Sequence, residues 1–269
     1  MLLAVDIGNT NIVSALFHEG ELVQEWRMYS DTKRTADEYS SILLSLMRDA
    51  GVSQASIDSA ILSSVVPLLI GPFITLVERM IGRKPIIIGP SIYPKLPITI
   101  PESAKHEIGT DIVCNAVEAY SRCKTACIIA DFGTALTFTA IDDKGNIQGV
   151  AITPGLKTAV NSLFTNTAQL PSVPLEAPPN TLGTNTIHSI QAGIVLGYKG
   201  LVESLIVQIK KDLSIQTGFP ADKIRVIATG GLNSVLRPIT GVFEEVDKQL
   251  TLKGLCRIAS IMKGLPKTS

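Results

Sequence analysis

The chain has 269 residues, of which 45% are hydrophobic and 18% charged, so it can bury a sizeable core and long disordered segments are not expected. Its 24 basic and 24 acidic residues cancel, and the lack of a basic stripe argues against a nucleic-acid partner. Serine, proline and glycine interrupt the longest apolar stretch, residues 60–77, so we expect no membrane partner, and an N-terminus without a basic flank favours a cytoplasmic protein.

The chain begins with three short predicted strands that are separated by turns. Residues 2–6 form an apolar run that ends on Asp6, residues 11–17 are mostly apolar, and residues 22–28 alternate more. The P-loop and the dinucleotide fingerprint both require a helix after the first turn. A strand in that place disfavours both.

The same three-strand pattern returns at residues 127–152. At a constant offset of 125 residues, an Asp and two Gly residues recur as the pairs Asp6 and Asp131, Gly8 and Gly133, and Gly20 and Gly145. A duplicated unit of this kind implies two similar α/β halves that face each other. We place the N-terminal half at residues 1–120 and the C-terminal half at residues 121–269.

Three segments carry apolar residues at spacings of three and four, which predicts amphipathic helices. They are residues 36–51, 110–122 and 186–213. Residues 171–179, with four prolines, are typical of an extended surface connection, either a linker or a segment that shapes a pocket.

A carboxylate at the end of a buried strand is costly unless it is paired or binds a cation. Asp6 could simply accept hydrogen bonds from the turn after it. Two copies favour another interpretation, in which carboxylates, glycine amides and the hydroxyls of Thr10 and Thr134 surround one cleft. Such a cleft suits a nucleoside triphosphate with Mg²⁺, because glycine amides approach phosphate closely and carboxylates hold the metal.

A third element is the predicted strand in residues 223–236, which runs into Gly230-Gly231 and then a helix. It could be an ordinary strand-to-helix turn. Beside the two aspartate turns, it suggests a flat surface for an adenosine group.

These motifs together resemble those of a known superfamily. DxGNT at 6–10, DFGTxxT at 131–137 and TGG at 229–231 are similar to the motifs of acetate kinase, hexokinase, actin and Hsp70. Within that superfamily the chain most resembles type III pantothenate kinase, over nearly its whole length. The likeness includes SSVVP at 63–67, IGTD at 108–111 and LGTNTIHSIQAGIVLGY at 182–198.

The resemblance implies a fold, an activity and a set of partners. The fold is α/β with duplicated ribonuclease-H-like (actin-like ATPase) halves, each a mixed sheet flanked by helices, with a cleft between them. The activity is ATP-dependent phosphorylation of pantothenate to 4′-phosphopantothenate, the first step of coenzyme A biosynthesis. The cofactors are ATP, Mg²⁺ and a monovalent cation, K⁺ or NH₄⁺, and the protein would be a homodimer.

The resemblance also assigns site residues by their position in the motifs. ATP would contact Asp6, Gly8, Asn9, Thr10, Asn11, Gly133, Thr134, Gly230 and Gly231. Mg²⁺ would be held by Asp6 through phosphate or water, and the monovalent cation by Asp131. Pantothenate would contact Gly109, Thr110, Thr186 and the position of Ile112, and Asp111 would be the general base.

Two of these residues also have a purely structural interpretation. Asp111 lies at the start of the helix predicted at 111–122, where aspartate is favoured as a cap or as a partner of the helix dipole. Thr186 lies in a GTNT cluster that resembles a helix N-cap. Capping and ligand contact do not exclude each other at Thr186.

The sequence departs from the family pattern on the substrate side. Ile112 replaces the arginine of the family's Gly-x-Asp-Arg motif, Glu102 lies where a tyrosine is expected, and Gly149-Val150 replaces a glycine pair. Two alternatives therefore stay open: a kinase of the same fold for another small alcohol, and a nucleotide-binding regulatory protein without pantothenate kinase activity. Retention of Asp6, Asp111 and Asp131 together favours an enzyme.

Overall fold

A computed structural model describes residues 1–165, 170–231 and 233–264, and within them the chain forms two five-stranded sheets flanked by helices. The strands are β1 (Leu2–Ile7), β2 (Asn11–His18), β3 (Glu21–Tyr29), β4 (Ser59–Ser64), β5 (Ile86–Ile87), β6 (Cys127–Phe132), β7 (Ala135–Ile141), β8 (Ile147–Pro154), β9 (Arg225–Gly230) and β10 (Glu245–Val246). The α-helices are α1 (Ala36–Asp49), α2 (Pro67–Ile81), α3 (Thr110–Cys123), α4 (Leu156–Thr165), α5 (Thr186–Gln191), α6 (Gly197–Thr217), α7 (Asn233–Leu236) and α8 (Leu250–Lys263).

The two sheets have the same topology. The first has the order β3-β2-β1-β4-β5, and the second has the order β8-β7-β6-β9-β10 when it is read from the matching edge. In both, the first three strands are antiparallel and the last two are parallel to the central strand. The duplication that the 125-residue offset predicts is therefore confirmed, and so is the α/β class with mixed sheets.

The internal repeat is not uniform along the chain. Three residues separate β1 from β2, whereas two separate β6 from β7, so the offset falls to 124 residues in the second strands. The pairing of the second strand with the third strand shifts in register at the equivalent place in both halves. The shift lies between Leu16 and Phe17 in β2 and between Ala140 and Ile141 in β7. The constant offset predicted from the sequence holds at the glycine turns but not between them.

Helix α1 shows how local sequence and packing agree. Thr35 and Glu38 form a capping box, in which each residue's side chain accepts a hydrogen bond from the other's backbone amide. The buried face carries Tyr39, Leu43 and Met47, at a spacing of four residues, against the apolar residues of β1 and α2. Each such buried side chain stabilises the fold by about 1.5–3 kcal/mol.

The helix predicted at 186–213 is not regular throughout. A π-helical turn at residues 192–196 separates α5 from α6, and α6 extends to Thr217. Within the described part of the chain, this run alone is long and apolar enough to cross a membrane by length and composition, a test that core helices of soluble proteins also pass. Its side chains Tyr198, Val202 and Ile206 pack in the core of the second sheet.

The chain divides into two compact units. One contains Met1–Glu118 together with the chain from Leu250 onward, and the other contains Ala119–Gln249. In the first unit, α8 packs against α3 so closely that Gly254 has no room for a Cβ beside the carbonyl of Cys114. The division at residue 120 into halves 1–120 and 121–269 stays a prediction about domains.

Candidate active site

The first predicted phosphate loop is the turn Gly8-Asn9-Thr10 between β1 and β2. The Gly8 amide donates to the carbonyl of Asn11 (3.0 Å). Ser30, directly after β3, holds the loop twice: its amide donates to the Thr10 carbonyl (3.0 Å) and its hydroxyl to the Gly8 carbonyl (2.6 Å). Asn9 and Thr10 are exposed, so the loop is fixed from one side and open to a ligand on the other.

The second predicted phosphate loop, Gly133-Thr134, is held in the same way. The Gly133 amide donates to the Ala135 carbonyl (3.1 Å), and the amide of Gly155, directly after β8, donates to the Thr134 carbonyl (3.0 Å). The Thr158 hydroxyl donates to that same carbonyl (2.7 Å). Gly155 approaches the loop so closely that a Cβ would overlap the Thr134 carbonyl oxygen, at 2.7 Å.

Asp6 is joined to the residues that precede α3. In the parallel register of β1 and β4, Asp6 lies opposite Ser63, and the Ser63 hydroxyl donates to Asp6 Oδ1 (2.9 Å). The same hydroxyl lies 3.0 Å from Thr110 Oγ1, and Thr110 Oγ1 accepts from the Ser64 amide (2.9 Å). The first unit thus brings the nucleotide-side carboxylate and the predicted substrate-side Thr110 into one hydrogen-bonded group.

Asp111 lies in the first turn of α3, which begins at Thr110, the first residue of the amphipathic segment predicted at 110–122. Its Oδ1 accepts from the amide of the next residue, Ile112 (2.8 Å). Burial raises the pKa of the Asp111 carboxyl, and backbone hydrogen bonds from Ile112 and from Asp111 itself oppose that rise. A Cβ on Gly109 would overlap the Asp111 carboxylate, so a larger residue at this position would force that side chain to move.

Cys114, a buried residue of α3, is affected by the charges of both Asp6 and Asp111. The pKa of Cys114 is raised well above its usual value, first by burial and then by the negative charges of Asp6 and Asp111. The hydrogen bonds give the geometric link: Thr110, the residue before Asp111, lies 3.0 Å from the Ser63 hydroxyl that donates to Asp6.

In the second unit, Asp131 lies opposite Thr229 in the parallel register of β6 and β9. Gly230 is the next residue of β9 and has φ +85°, and a Cβ there would lie 2.7 Å from Asp131 Oδ1 and 2.6 Å from the Phe132 carbonyl oxygen. Only glycine allows this close approach. Gly231, directly after it, is exposed.

Thr186 is the first residue of α5 and is exposed. The helix cap is supplied by its neighbour: Asn185 Oδ1 accepts from the His188 amide (2.9 Å), so the predicted cap cluster uses Asn185 rather than Thr186. Thr186 lines a pocket of about 610 Å³ together with Gly183, Ser189 and other residues of the second unit. Its placement beside Asp111, in the first unit, stays a prediction.

The two departures on the substrate side have different environments. Ile112 is buried, with 9% of its surface exposed. Glu102 is exposed and forms an ion pair with Lys105 (3.2 Å), so its negative charge is partly offset. The repulsion of a substrate carboxylate that Glu102 alone would cause is reduced accordingly.

No group of three or more His, Cys, Asp or Glu side chains that could hold a metal ion occurs within residues 1–165, 170–231 and 233–264. A single carboxylate such as Asp6 fits Mg²⁺ that is bound mainly through phosphate oxygens and water, which is its usual mode with nucleotides. The carboxylate of Asp131 and the Phe132 carbonyl beside Gly230 are oxygen donors of the kind that hard cations prefer.

Four residues that support this site were not identified from the sequence. Ser63 orients Asp6, and Ser30, Gly155 and Thr158 hold the two loops. Ser30 and Gly155 are related by the 125-residue offset and make the same backbone bond, so extending the repeat by a few residues could have found them. Ser63 is part of the SSVVP motif, but nothing in the sequence links it to Asp6 until the register of β4 against β1 is known.

Comparison with known proteins gives a consistent family. The family model for type III pantothenate kinase matches residues 2–208. A type III pantothenate kinase of Treponema pallidum (strain Nichols) is 43% identical over 265 residues, covering 97% of this chain and 94% of its own. One of Geotalea uraniireducens is 41% identical over 255 residues, covering 95% and 96%.

Similar solved structures show the fold alone. A Campylobacter jejuni protein assigned to the Baf family of transcriptional activators has a TM-score of 0.58 at 16% identity, covering 98% of this chain and 100% of its own. A Sinorhizobium meliloti protein assigned as a 2-dehydro-3-deoxygalactonokinase has a TM-score of 0.52 at 12% identity, covering 100% and 99%. Both support the actin-like, sugar-kinase type of fold.

Proposed function

The chain belongs to the type III pantothenate kinase family, and from this premise we propose that it transfers the γ-phosphoryl group of ATP to the hydroxyl of pantothenate, giving 4′-phosphopantothenate, the first step of coenzyme A biosynthesis. The observation that carries the proposal is the position of Asp111. A partly buried carboxyl with a raised pKa lies in the first turn of α3, and it directly follows Thr110, which shares the partner Ser63 with Asp6.

ATP would be held by the two glycine turns. Gly8-Asn9-Thr10 with Asn11, and Gly133-Thr134, offer amides and hydroxyls that suit phosphate oxygens. Gly230 and Gly231 leave a surface without side chains for the adenosine group. Asp6 would hold Mg²⁺ through phosphate or water, and the metal would supply positive charge to the phosphates.

Asp111 would act as the general base. As the pantothenate oxygen forms its bond to the γ-phosphorus and the bond to the β–γ bridging oxygen breaks, the hydroxyl proton passes to the Asp111 carboxylate and ADP leaves. Because burial raises the pKa of Asp111, the carboxylate is a better proton acceptor than an exposed aspartate. Activity should fall as the pH drops through that raised pKa.

The assignments of the substrate contacts and of the monovalent cation are taken from the family resemblance. Gly109, Thr110 and Thr186 would contact pantothenate, and Asp131 would hold K⁺ or NH₄⁺ beside Gly230.

We also propose that the protein is a cytoplasmic homodimer. Light scattering during size-exclusion chromatography tests the dimer, and a monomer at micromolar concentration would contradict it.

The test of the proposed function is a turnover assay. The purified protein is incubated with Mg-ATP and K⁺, with and without pantothenate, and 4′-phosphopantothenate is measured by mass spectrometry. We expect product only with pantothenate. Asp111→Asn should reduce kcat by about 10²–10⁴-fold, the usual contribution of a general base.

Asp111→Asn also has a stability readout that separates loss of chemistry from loss of fold. The pKa of Asp111 is higher in the folded state than in the unfolded state, so its charged form lowers stability above the folded-state pKa and has no effect below the unfolded-state pKa. At pH 7 the Asn variant should therefore melt at the same temperature as the wild type or higher. ATP binding without turnover of pantothenate would contradict the proposal, and a screen of other small alcohols would then separate another kinase from a regulatory protein.

A further inference from the structure

Ser63 has no role in the proposed reaction as described above. It lies in β4, has no exposed surface, and carries the hydroxyl that reaches Asp6 in the neighbouring strand. Buried hydroxyls in strands are commonly satisfied by the backbone, whereas this one bonds two side chains of the site. Its contacts therefore suggest a role in the site as well as in the sheet.

The Ser63 hydroxyl has a definite direction toward Asp6, because an ionised carboxylate only accepts and the Ser63 proton is therefore directed to Asp6 Oδ1 (2.9 Å). The Thr110 hydroxyl has two acceptors within reach, Ser63 Oγ (3.0 Å) and the Ser64 carbonyl (3.1 Å). The Ser64 amide donates in turn to Thr110 Oγ1 (2.9 Å). The result is a small network in which the Ser64 backbone, the Thr110 hydroxyl, the Ser63 hydroxyl and Asp6 are joined by hydrogen bonds, and the members of such networks strengthen one another.

The network of hydrogen bonds joins the two sides of the proposed site. Asp6 lies in β1, two residues before the first phosphate loop, and Thr110 is the first residue of α3, directly before Asp111. The Asp6 carboxylate and the first residue of α3 therefore share one hydrogen-bonding partner, Ser63.

The internal repeat supports a role at this position. In the second half, Thr229 lies opposite Asp131 in the same register in which Ser63 lies opposite Asp6, and Thr229 is also buried. Both halves thus place a hydroxyl residue beside the carboxylate that ends the central strand.

We propose that Ser63 is a positioning residue of the active site, which orients the Asp6 carboxylate toward bound Mg-ATP and couples it to the start of α3. This inference rests on the proposed function for its kinetic consequences, but its effect on nucleotide binding does not depend on which alcohol is phosphorylated.

The protein offers a matched control for this inference. Ser14, in the adjacent part of the same sheet, is equally buried, but its hydroxyl has no hydrogen-bond partner among the described residues. Ser14→Ala and Ser63→Ala each remove one buried hydroxyl from one sheet, and they differ in that only Ser63 contacts Asp6. Ser63→Thr retains the hydroxyl and introduces the residue that the second half has at this place.

The experiment measures kcat and KM for Mg-ATP, the nucleotide Kd by titration calorimetry, and the melting temperature. Ser63→Ala should lower kcat/KM for Mg-ATP and weaken the nucleotide Kd by about tenfold or more, as expected for loss of a hydrogen bond to a charged group. Ser14→Ala should change both by less than about twofold, and Ser63→Thr should restore most of the loss.

Equal kinetics and affinity in Ser63→Ala and Ser14→Ala would overturn the inference. So would loss of the folded state in both Ser63→Ala and Ser63→Thr, because it would assign Ser63 to stability alone. If the wild type binds Mg-ATP but makes no 4′-phosphopantothenate, the proposed function fails, whereas the calorimetric comparison still decides the role of Ser63.

Discussion

Asp111 combines burial with charge, two conditions that oppose each other in most side chains. Its surroundings disfavour the ionised form, and two backbone hydrogen bonds recover part of that cost. The residues alone predicted an aspartate near a helix start, for which capping is the simpler explanation, and the family resemblance predicted that it is the general base. The structure shows that its carboxylate accepts from the amide of Ile112, one of the first-turn N–H groups of α3 that have no partner within the helix, so Asp111 also serves the helix start.

Ile112 is the residue at which substrate recognition can be tested most directly. Because it is buried, Ile112→Arg places a guanidinium in a poorly solvated position, and the variant should melt several degrees below the wild type. If the carboxylate of pantothenate binds here, it will pair with the new charge. Saturating pantothenate should then raise the melting temperature of this variant more than that of the wild type.

Ile112→Met is the matched control, since it keeps an uncharged side chain of similar size. Its melting temperature should respond to pantothenate as the wild type does. An equal response of the Arg and Met variants would show that the substrate carboxylate binds away from position 112.

At the scale of elements, each phosphate loop is held by the residue directly after the third strand of its half. The backbone amides of Ser30 and Gly155 donate equivalent hydrogen bonds, to the carbonyls of Thr10 and Thr134 respectively. Ser30 carries a side chain, whereas Gly155 has no room for one. The difference has a steric cause, because a Cβ at Gly155 would overlap the loop carbonyls.

Gly155→Ala should therefore displace the second loop. We expect KM for ATP to rise about tenfold, the effect of losing one or two phosphate contacts of about 1 kcal/mol each. Gly149→Ala is the control, because a Cβ at Gly149, on the preceding strand, meets nothing within 4 Å. An unchanged KM in Gly155→Ala would mean that the second loop does not contact ATP.

The elements themselves were predicted well where the local pattern was repeated. The three strands of each half are indicated by apolar runs and glycine turns, and the copy at residues 127–152 made each assignment more secure. The π-helical turn at residues 192–196 could not be predicted, because its residues have ordinary helical spacing. Packing in the tertiary structure decides such an insertion.

At the scale of the whole molecule, the chain end returns to the first unit. Arg257 of α8 forms two hydrogen bonds to Glu118 of α3, with Nε 2.6 Å from Oε2, and the Glu118 side chain is only 5% exposed. Arg257→Met would leave a buried charge without this partner. We expect the free energy of unfolding to fall by about 3 kcal/mol, measured by urea denaturation.

Arg79→Met tests whether this loss is due to burial. Arg79 pairs with Asp37, and both side chains are mostly exposed, so this variant should change the free energy of unfolding by less than about 0.5 kcal/mol. Equal effects of the two substitutions would contradict a special role for the Arg257 pair.

The sequence by itself determined the duplicated α/β halves, the two glycine turns and the candidate carboxylates, because strand periodicity, turn residues and a fixed offset are local properties. Only the tertiary structure decided which side chains meet. The parallel pairing of β4 with β1 brings Ser63 to Asp6 across 57 residues of sequence. Residues 2–13 show by themselves that the Asp6 carboxylate needs a partner. Which residue is that partner depends on the register between strands, and no short stretch of sequence contains that information.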